Sequence, residues 1–395
     1  MKRKSLAVAA IGILLLSGCS AAVAGDNASE TIKIGASLPL TGPLSSFGPS
    51  IQEGYQAAID DTNAAGGLEI DGVTHQAELV VLDSASDPTK VADQSKTMIL
   101  QDGVVGLLGS VSPPLAIPAS NMAELEKVPF VGTLTPLQSW KAGNADGWAY
   151  SWDLFFDELQ QTDLPFQTAD LTETNKKVAL FTDTAEDGVA MGGLWEAKAP
   201  AAGYEIAYRA NFPVGTTDYG EYVNKAKESG ADVIVAQMIP PDAFALWKQM
   251  KALAFTPKVA FCEKCSFQAA FAAELGPIAE GTIVSAGAAP AAGAFTDKFA
   301  PTYGDTVDLT TVASAYTAAK VMLDAIAAAG STDGDAINEA IGKTNAAYPI
   351  GTVVFGDDHT YAIPAVARQW QGSSQVQVYP LHSDASLQVP VAGLQ

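Results

Sequence analysis

Hydroxyl side chains cluster where two predicted strands end. They are Ser110, Ser112, Thr133 and Thr135. Hydroxyls and backbone N–H groups at the start of a helix can hold a carboxylate, because the helix dipole is positive there. Pro113 and Pro114 lack backbone N–H groups, so we expect this capture to be weaker or differently aimed. Simple N-capping of the following helix is the structural alternative for Ser112.

Acidic side chains occupy later loops that also follow predicted strands. They are Asp183, Asp187 and Glu263. Acids in a dry cleft favour a cationic or amino group on a ligand, since opposite charges stabilise each other's ionised forms. The structural alternatives are that Asp183 caps a turn and that Glu263 is solvated.

The elements that would position these residues alternate between strands and helices. Residues 32–38 carry apolar side chains at alternate positions, and a Gly/Pro/Ser loop then leads to a helix with apolar residues spaced three and four apart. Similar units recur, and a second series begins near residue 177. This order predicts α/β domains with parallel sheets covered by helices. Ligands of such sheets bind at the carboxyl edge of the strands.

No catalytic constellation is present in the sequence. The three His residues, at 75, 359 and 382, have no metal-ligand spacing, and neither a nucleophile elbow, a P-loop nor a well-placed dinucleotide motif follows a strand. We therefore expect no enzyme, no cofactor and no metal site. The net charge of −22 makes a nucleic-acid partner improbable, because phosphate backbones would be repelled.

The first 30 residues have the composition of an export segment. Lys2, Arg3 and Lys4 precede an apolar run over residues 6–16, which is too short for a comfortable membrane span. Leu16-Ser17-Gly18-Cys19 matches a lipobox. We predict a signal peptide over 1–18, a lipid on Cys19 and a tether over 19–30, which anchors the protein on the outer side of the cytoplasmic membrane. An ordinary signal peptide with a chance Cys is the alternative.

The other two cysteines form the sequence Cys262-Glu263-Lys264-Cys265. In an exported protein this pair most simply forms a disulfide. A zinc site is disfavoured, since two Cys without a nearby Cys or His leave the metal half coordinated. A thioredoxin-like redox site remains an alternative, because a helical pattern follows the pair and a helix N-terminus lowers a thiol pKa.

The first strand, loop and helix resemble those of a known family. The residues that carry the likeness are Pro39-Leu40-Thr41-Gly42-Pro43, Phe47-Gly48, Gly54, Ala57-Ala58, Ile59, Asn63 and Gly66-Gly67. This pattern resembles the opening of type I solute-binding proteins of ABC importers, of the branched-chain amino acid type. The resemblance implies two doubly wound parallel-sheet lobes joined by a three-segment hinge. The lobes would comprise 31–149 with 288–345, and 150–287 with 346–395.

The resemblance also implies roles for individual residues. In the family, the turn at Ser112 holds an amino acid α-carboxylate, an aromatic at the position of Phe47 lines the pocket, and an acid near Glu263 pairs with the ligand ammonium. Asp183 and Asp187 occupy a loop where the family commonly has Tyr, so the amino-acid signature is incomplete. Trp152, near the predicted lobe crossing, would stack on a ligand or else belong to the core.

The sequence thus predicts a lipid-anchored envelope protein that captures a small polar solute, an amino acid or a relative of one, and delivers it to membrane permease subunits. A ligand-binding sensor of the same fold, for amides or for aromatic or aliphatic carboxylates, is the alternative.

Overall fold

The computed structural model describes residues 31–288, 290, 293–304, 306–381 and 386–395. The predicted signal peptide, the tether with Cys19, and His382 lie outside the described residues. The described part contains two large sheets with helices packed against them, so the predicted α/β class is confirmed.

Strands and helices alternate along most of the chain. The strands are β1 (Ile32–Leu38), β2 (Leu68–Ile70), β3 (Val73–His75), β4 (Ala77–Asp83), β5 (Gly106–Leu108), β6 (Phe130–Thr133), β7 (Ser151–Phe155), β8 (Lys177–Asp183), β9 (Glu205–Phe212), β10 (Val233–Gln237), β11 (Val259–Cys262), β12 (Thr282–Gly287), β13 (Ala346–Tyr348), β14 (Gly351–Val353), β15 (Thr360–Ala362), β16 (Ala365–Gln371) and β17 (Ser374–Tyr379).

The α-helices are α1 (Gly48–Ala64), α2 (Pro88–Thr97), α3 (Pro113–Glu126), α4 (Leu137–Ala142), α5 (Glu158–Ala169), α6 (Glu186–Lys198), α7 (Gly220–Glu228), α8 (Pro240–Ala252), α9 (Ala269–Leu275), α10 (Ala294–Tyr303), α11 (Val307–Ala329) and α12 (Gly334–Gly342). A π-helix spans Met98–Asp102, and short 3₁₀ helices span Lys264–Ser266, Gly276–Ala279 and Ala392–Leu394.

Each large sheet is the centre of one lobe. The first has the order β15-β7-β6-β5-β1-β4 and is parallel throughout. The second has the order β17-β16-β12-β11-β10-β8-β9, in which β16 and β17 run antiparallel at one edge. Strands β1 and β10 are buried almost throughout, as expected for parallel strands covered on both faces.

Two of the three chain crossings lie later than the sequence predicted. The expected crossing near 150 would put β7 in the second lobe, but β7 pairs with β6 in the first sheet. The expected crossing near 345 likewise precedes β15, which pairs with β7, so the chain crosses between Ala362 and Ala365. The remaining crossing follows β12, which ends at Gly287 in the second sheet. Among the described residues, the first lobe therefore comprises 31–155 with 294–304 and 306–362, and the second comprises 158–287 with 365–381 and 386–395.

Helix α11 is the central helix of the first lobe. It packs along α1, and the contact is close at Gly54, where an added Cβ would lie 2.5 Å from the carbonyl oxygen of Val312. Among the described helices, α11 alone is long and apolar enough to cross a membrane, but most of it is buried inside the lobe. Its composition is therefore accounted for by its place in the core.

Candidate functional site

A pocket with a cavity volume of about 40 Å³ lies between the carboxyl edges of the two sheets. The first lobe contributes Phe47, Val111, Ser112, Leu134, Pro136 and Phe155. Phe156, which directly follows β7 where the chain crosses between the lobes, also lines the pocket. The second lobe contributes Asp187, Gln237, Glu263, Lys264 and Phe267. Of the predicted site residues, the structure thus brings Phe47, Ser112, Asp187 and Glu263 together at one pocket.

Lys264 connects the two lobes across this pocket. Its Nζ lies 2.7 Å from Asp187 Oδ2 and 2.9 Å from Ser112 Oγ. The Lys264 side chain is only 11% exposed and that of Asp187 only 4%. The Lys264 ammonium and the Asp187 carboxylate stabilise each other at this depth, because an unpaired buried charge is strongly destabilising. The pocket therefore contains an ammonium group whose charge is balanced by a carboxylate of its own lobe.

Ser112 occupies an unusual turn at the start of α3. Its backbone φ is +71°, which is rare for a residue with a side chain. It stands at the N-cap of α3, but its hydroxyl makes no capping hydrogen bond and accepts from Lys264 instead. The structural alternative of simple N-capping by this side chain is therefore wrong.

Glu263 lines the same pocket and has one carboxylate oxygen without a hydrogen-bond partner among the described residues. Its Oε1 accepts hydrogen bonds from Ser285 Oγ and from Gln161 Nε2, the latter at 2.8 Å. Its Oε2 is buried and unpaired among the described residues. Burial raises the pKa of Glu263 to about 7, although the hydrogen bonds from Ser285 and Gln161 lower it. Near neutral pH this carboxyl can therefore accept from a ligand ammonium when ionised or donate when protonated.

Asp183 has a structural position behind the pocket. Its two carboxylate oxygens accept from the backbone N–H groups of Ala185 and Ile239, each at 3.0 Å. The bond from Ala185 caps the local turn, and the bond from Ile239 connects the end of β8 to the loop after β10. Burial raises the pKa of Asp183 to about 6. The geometry fits the turn-capping alternative, and Asp183 is not among the residues that line the pocket.

Three predicted hydroxyl residues also lie behind the pocket wall. Ser110 and Thr133 are buried, and their hydroxyls have no partner among the described residues. Thr135 donates to the carbonyl oxygen of Thr133 at 3.4 Å. None of the three lines the pocket.

Trp152 belongs to the core of the first lobe. Its Nε1 donates to Asn338 Oδ1 at 2.7 Å, and its ring stacks on His359 with centroids 3.6 Å apart. These partners lie on α12 and beside β15, so the packing alternative describes this residue.

The sequence identified Phe47 but not its neighbours Phe156, Gln237, Lys264 and Phe267, which also line the pocket. Phe47 and Phe267 stack across it with centroids 6.3 Å apart, and Phe267 also meets Phe156 edge-on at 6.4 Å. Gln237 donates to Asp187 at 3.3 Å and accepts from the backbone N–H of Lys264 at 3.1 Å. The available signal for Lys264 was its position, directly after Glu263 at the end of a strand.

Cys262 and Cys265 are joined by a disulfide that closes the turn carrying Glu263 and Lys264. Both cysteines are buried, at 0% and 1% exposure. A redox-active cysteine needs an accessible sulfur, so the oxidoreductase alternative is disfavoured. The described residues also include no group of three or more His, Cys, Asp or Glu side chains that could hold a metal ion.

The fold and site define a two-lobed binding protein. Residues 31–375 match the family model described as periplasmic binding protein, and the chain belongs to this family. It is 24% identical over 383 residues to Leu/Ile/Val-binding protein homolog 7 of Brucella abortus, a match that covers 89% of this chain and 92% of that protein. The family is the non-enzymatic, substrate-binding component of transporters.

Solved structures agree with this assignment at the level of the fold. A leucine-binding protein from Thermotoga maritima superposes with a TM-score of 0.76 at 24% identity, over 88% of this chain and 97% of that one. A solute-binding protein from R. palustris, solved in complex with benzoate, has a TM-score of 0.75 at 17% identity, over 88% of this chain and 96% of that one.

Proposed function

We propose that this protein captures a small amino acid with an apolar side chain between its lobes and delivers it to the permease of an ABC importer. The observation that carries the proposal is the composition of one pocket. The pocket combines a cation and a hydroxyl, Lys264 and Ser112, with a carboxylate oxygen of Glu263 that has no partner among the described residues. A zwitterion with an apolar side chain offers a complementary group to each of these and to the aromatic walls.

The mechanism is closure driven by binding. Phe47 and Ser112 belong to the first lobe, whereas Glu263, Lys264 and Phe267 belong to the second. A solute that contacts both groups gains interactions only when the lobes are together, and this difference shifts the population toward the closed state. The three chain crossings would serve as the hinge, and the permease would distinguish the closed form from the open one.

Export and anchoring complete the proposal. The match of residues 16–19 to a lipobox supports a lipid on Cys19, and the lipid would keep the receptor at the outer face of the membrane that contains its permease. The lipid expected on a lipobox cysteine is a diacylglycerol, whose two acyl chains give stable attachment, because a single chain binds only reversibly.

A carboxylate without an amine is the second candidate solute, and one observation favours it. Because the pKa of Glu263 is about 7, this carboxyl can be protonated and can donate to an anionic ligand. The relative solved with benzoate is a protein of the same fold that holds such a solute.

A thermal-shift screen of the purified chain tests the proposal. The panel would contain amino acids, amides, polyamines, and aromatic and aliphatic carboxylates, because a ligand that binds only the folded state raises the melting temperature. We expect saturable stabilisation by an apolar amino acid, weakened in Ser112→Ala and unchanged in the control Ser331→Ala, which lies in the turn after α11. No shift with any solute class would contradict the proposed function.

A further inference from the structure

The turn that begins α3 lacks free backbone donors. Pro113 and Pro114 have no N–H, and the N–H groups of Leu115 and Ala116 both donate to the Ser112 carbonyl oxygen, at 3.1 and 3.0 Å. The N–H of Ser112 itself donates to the Leu134 carbonyl oxygen at 3.1 Å. Helix α3 therefore cannot hold a ligand carboxylate through the backbone of its first turn, and the positive end of the helix alone supplies no hydrogen bond.

Lys264 and Ser112 each have a hydrogen-bond donor that is not used by another described residue, and both line the pocket. An ammonium has three N–H groups, and in the described part of the chain two of them are used, for Asp187 and Ser112. The Ser112 hydroxyl accepts from Lys264, so its own proton is available to donate. The two heavy atoms are 2.9 Å apart, which suits the two oxygens of one carboxylate.

We propose that Lys264 is a ligand-binding residue that, with Ser112, holds the carboxylate of the solute and makes the pocket selective for acids over their amides. The inference rests on the proposed function and adds the group that selects the solute class. Lys264 comes from the second lobe and supplies the donors that the two prolines remove from the first. One carboxylate then contacts both lobes, which links recognition to closure.

Asp187 is the positioning residue in this arrangement. Its Oδ2 holds the Lys264 ammonium at the pocket, at a distance of 2.7 Å. Gln237 fixes Asp187 and the backbone of Lys264 together, and the Cys262–Cys265 disulfide closes the turn. An uncharged amide ligand places an NH₂ where one carboxylate oxygen would accept, so it leaves Lys264 or Ser112 without an acceptor.

The test compares acids with their matched amides by calorimetric titration of the full chain: leucine with leucinamide and benzoate with benzamide. The variant is Lys264→Met, and the control is Lys248→Met, whose ion pair with Glu274 is exposed in the same lobe. A hydrogen bond to a charged group contributes about 1.5–3 kcal/mol, so we expect Lys264→Met to weaken acid binding about 10- to 100-fold. Amide binding should change much less, and Lys248→Met should bind like the unmodified protein.

Lys264→Met leaves the buried Asp187 charge unpaired and can destabilise the fold. The double variant Lys264→Met with Asp187→Asn removes both charges, so it tests the same loss of the ammonium without an unpaired charge. The inference is overturned if either variant keeps its affinity for the acid, or loses affinity for acid and amide equally. If the unmodified protein binds amides or amines but no acid, the inference fails while solute capture stands. If no solute of any class binds, the proposed function fails together with the inference.

Discussion

Phe47 and Phe267 stack across the pocket from opposite lobes, with ring centroids 6.3 Å apart and planes inclined by 24°. Both rings are nearly buried, at 3% and 4% exposure. Aromatic pairs of this kind contribute about 0.5–1.5 kcal/mol beyond the burial of their area. The pair is therefore an apolar contact between the lobes as well as a wall of the site.

We predict that Phe47→Ala weakens binding of an apolar amino acid by about 10-fold or more, because a wall of the pocket and a contact between the lobes are lost together. Titration calorimetry measures the change, with Leu125→Ala, at a position 71% exposed, as the control. Equal affinities of the two variants would show that the ligand does not reach the aromatic wall.

The affinity for an amino acid should rise with pH through the titration of Glu263. Burial raises its pKa to about 7, and the ionised form binds a ligand ammonium much more strongly because it carries the opposite charge. Affinity should increase roughly 10- to 30-fold from about pH 5.5 to about pH 8 as the competent fraction grows.

Glu263→Gln is the control for this pH dependence and should have a nearly flat profile. The comparison is needed because burial also raises the pKa of Asp183 to about 6. If the affinity of Glu263→Gln for the amino acid still rises with pH, the titration of another group causes the pH dependence.

Asp153 should make the protein less stable as the pH rises. It is fully buried in β7, and burial raises its pKa well above the usual value. The folded state then holds a proton that the unfolded state releases above about pH 4, so the free energy of unfolding falls with increasing pH. Thermal unfolding of Asp153→Asn should show a smaller fall between about pH 5 and pH 8, whereas the exposed Asp146→Asn should keep the original slope. Parallel slopes for Asp153→Asn and the unmodified chain would contradict this assignment.

Two glycine substitutions should have opposite effects on stability. In Gly54→Ala the new Cβ would lie 2.5 Å from the Val312 carbonyl oxygen, so α1 and α11 must separate at a cost of about 1–3 kcal/mol. In Gly193→Ala, within α6, nothing lies within 4 Å of the new Cβ, and helix propensity should stabilise the protein by up to about 1 kcal/mol. Chemical denaturation measures both, and a stable Gly54→Ala would mean that the helices are not packed as closely as described.

The alternation of strands and helices made much of the fold predictable, but not the course of the chain between lobes. Strand β7 is buried like its neighbours in the first sheet, so its sequence carries no mark of which lobe it joins. Strand β15 has three residues, too few for a periodic pattern, and its partner β7 lies about 200 residues earlier. Only pairing in three dimensions locates these two crossings.

The sequence identified the loops that follow strands, but not which residues of each loop line the pocket. Phe47, Ser112, Asp187 and Glu263 reach the pocket as the loop positions suggested. Lys264 was missed because a lysine in a polar turn is usually solvated, and its buried partners come from distant segments. Asp183 could not be separated from Asp187 by sequence, since its partner, the N–H of Ile239, lies 56 positions later.

The most direct test of solute capture between the lobes is a crystal structure of the protein with the solute that stabilises it most in the thermal-shift screen. We predict one solute molecule in the pocket that Phe47 and Phe267 line, with its carboxylate within hydrogen-bond distance of Ser112 Oγ and Lys264 Nζ. A solute bound outside this pocket, or in contact with one lobe alone, would contradict the account.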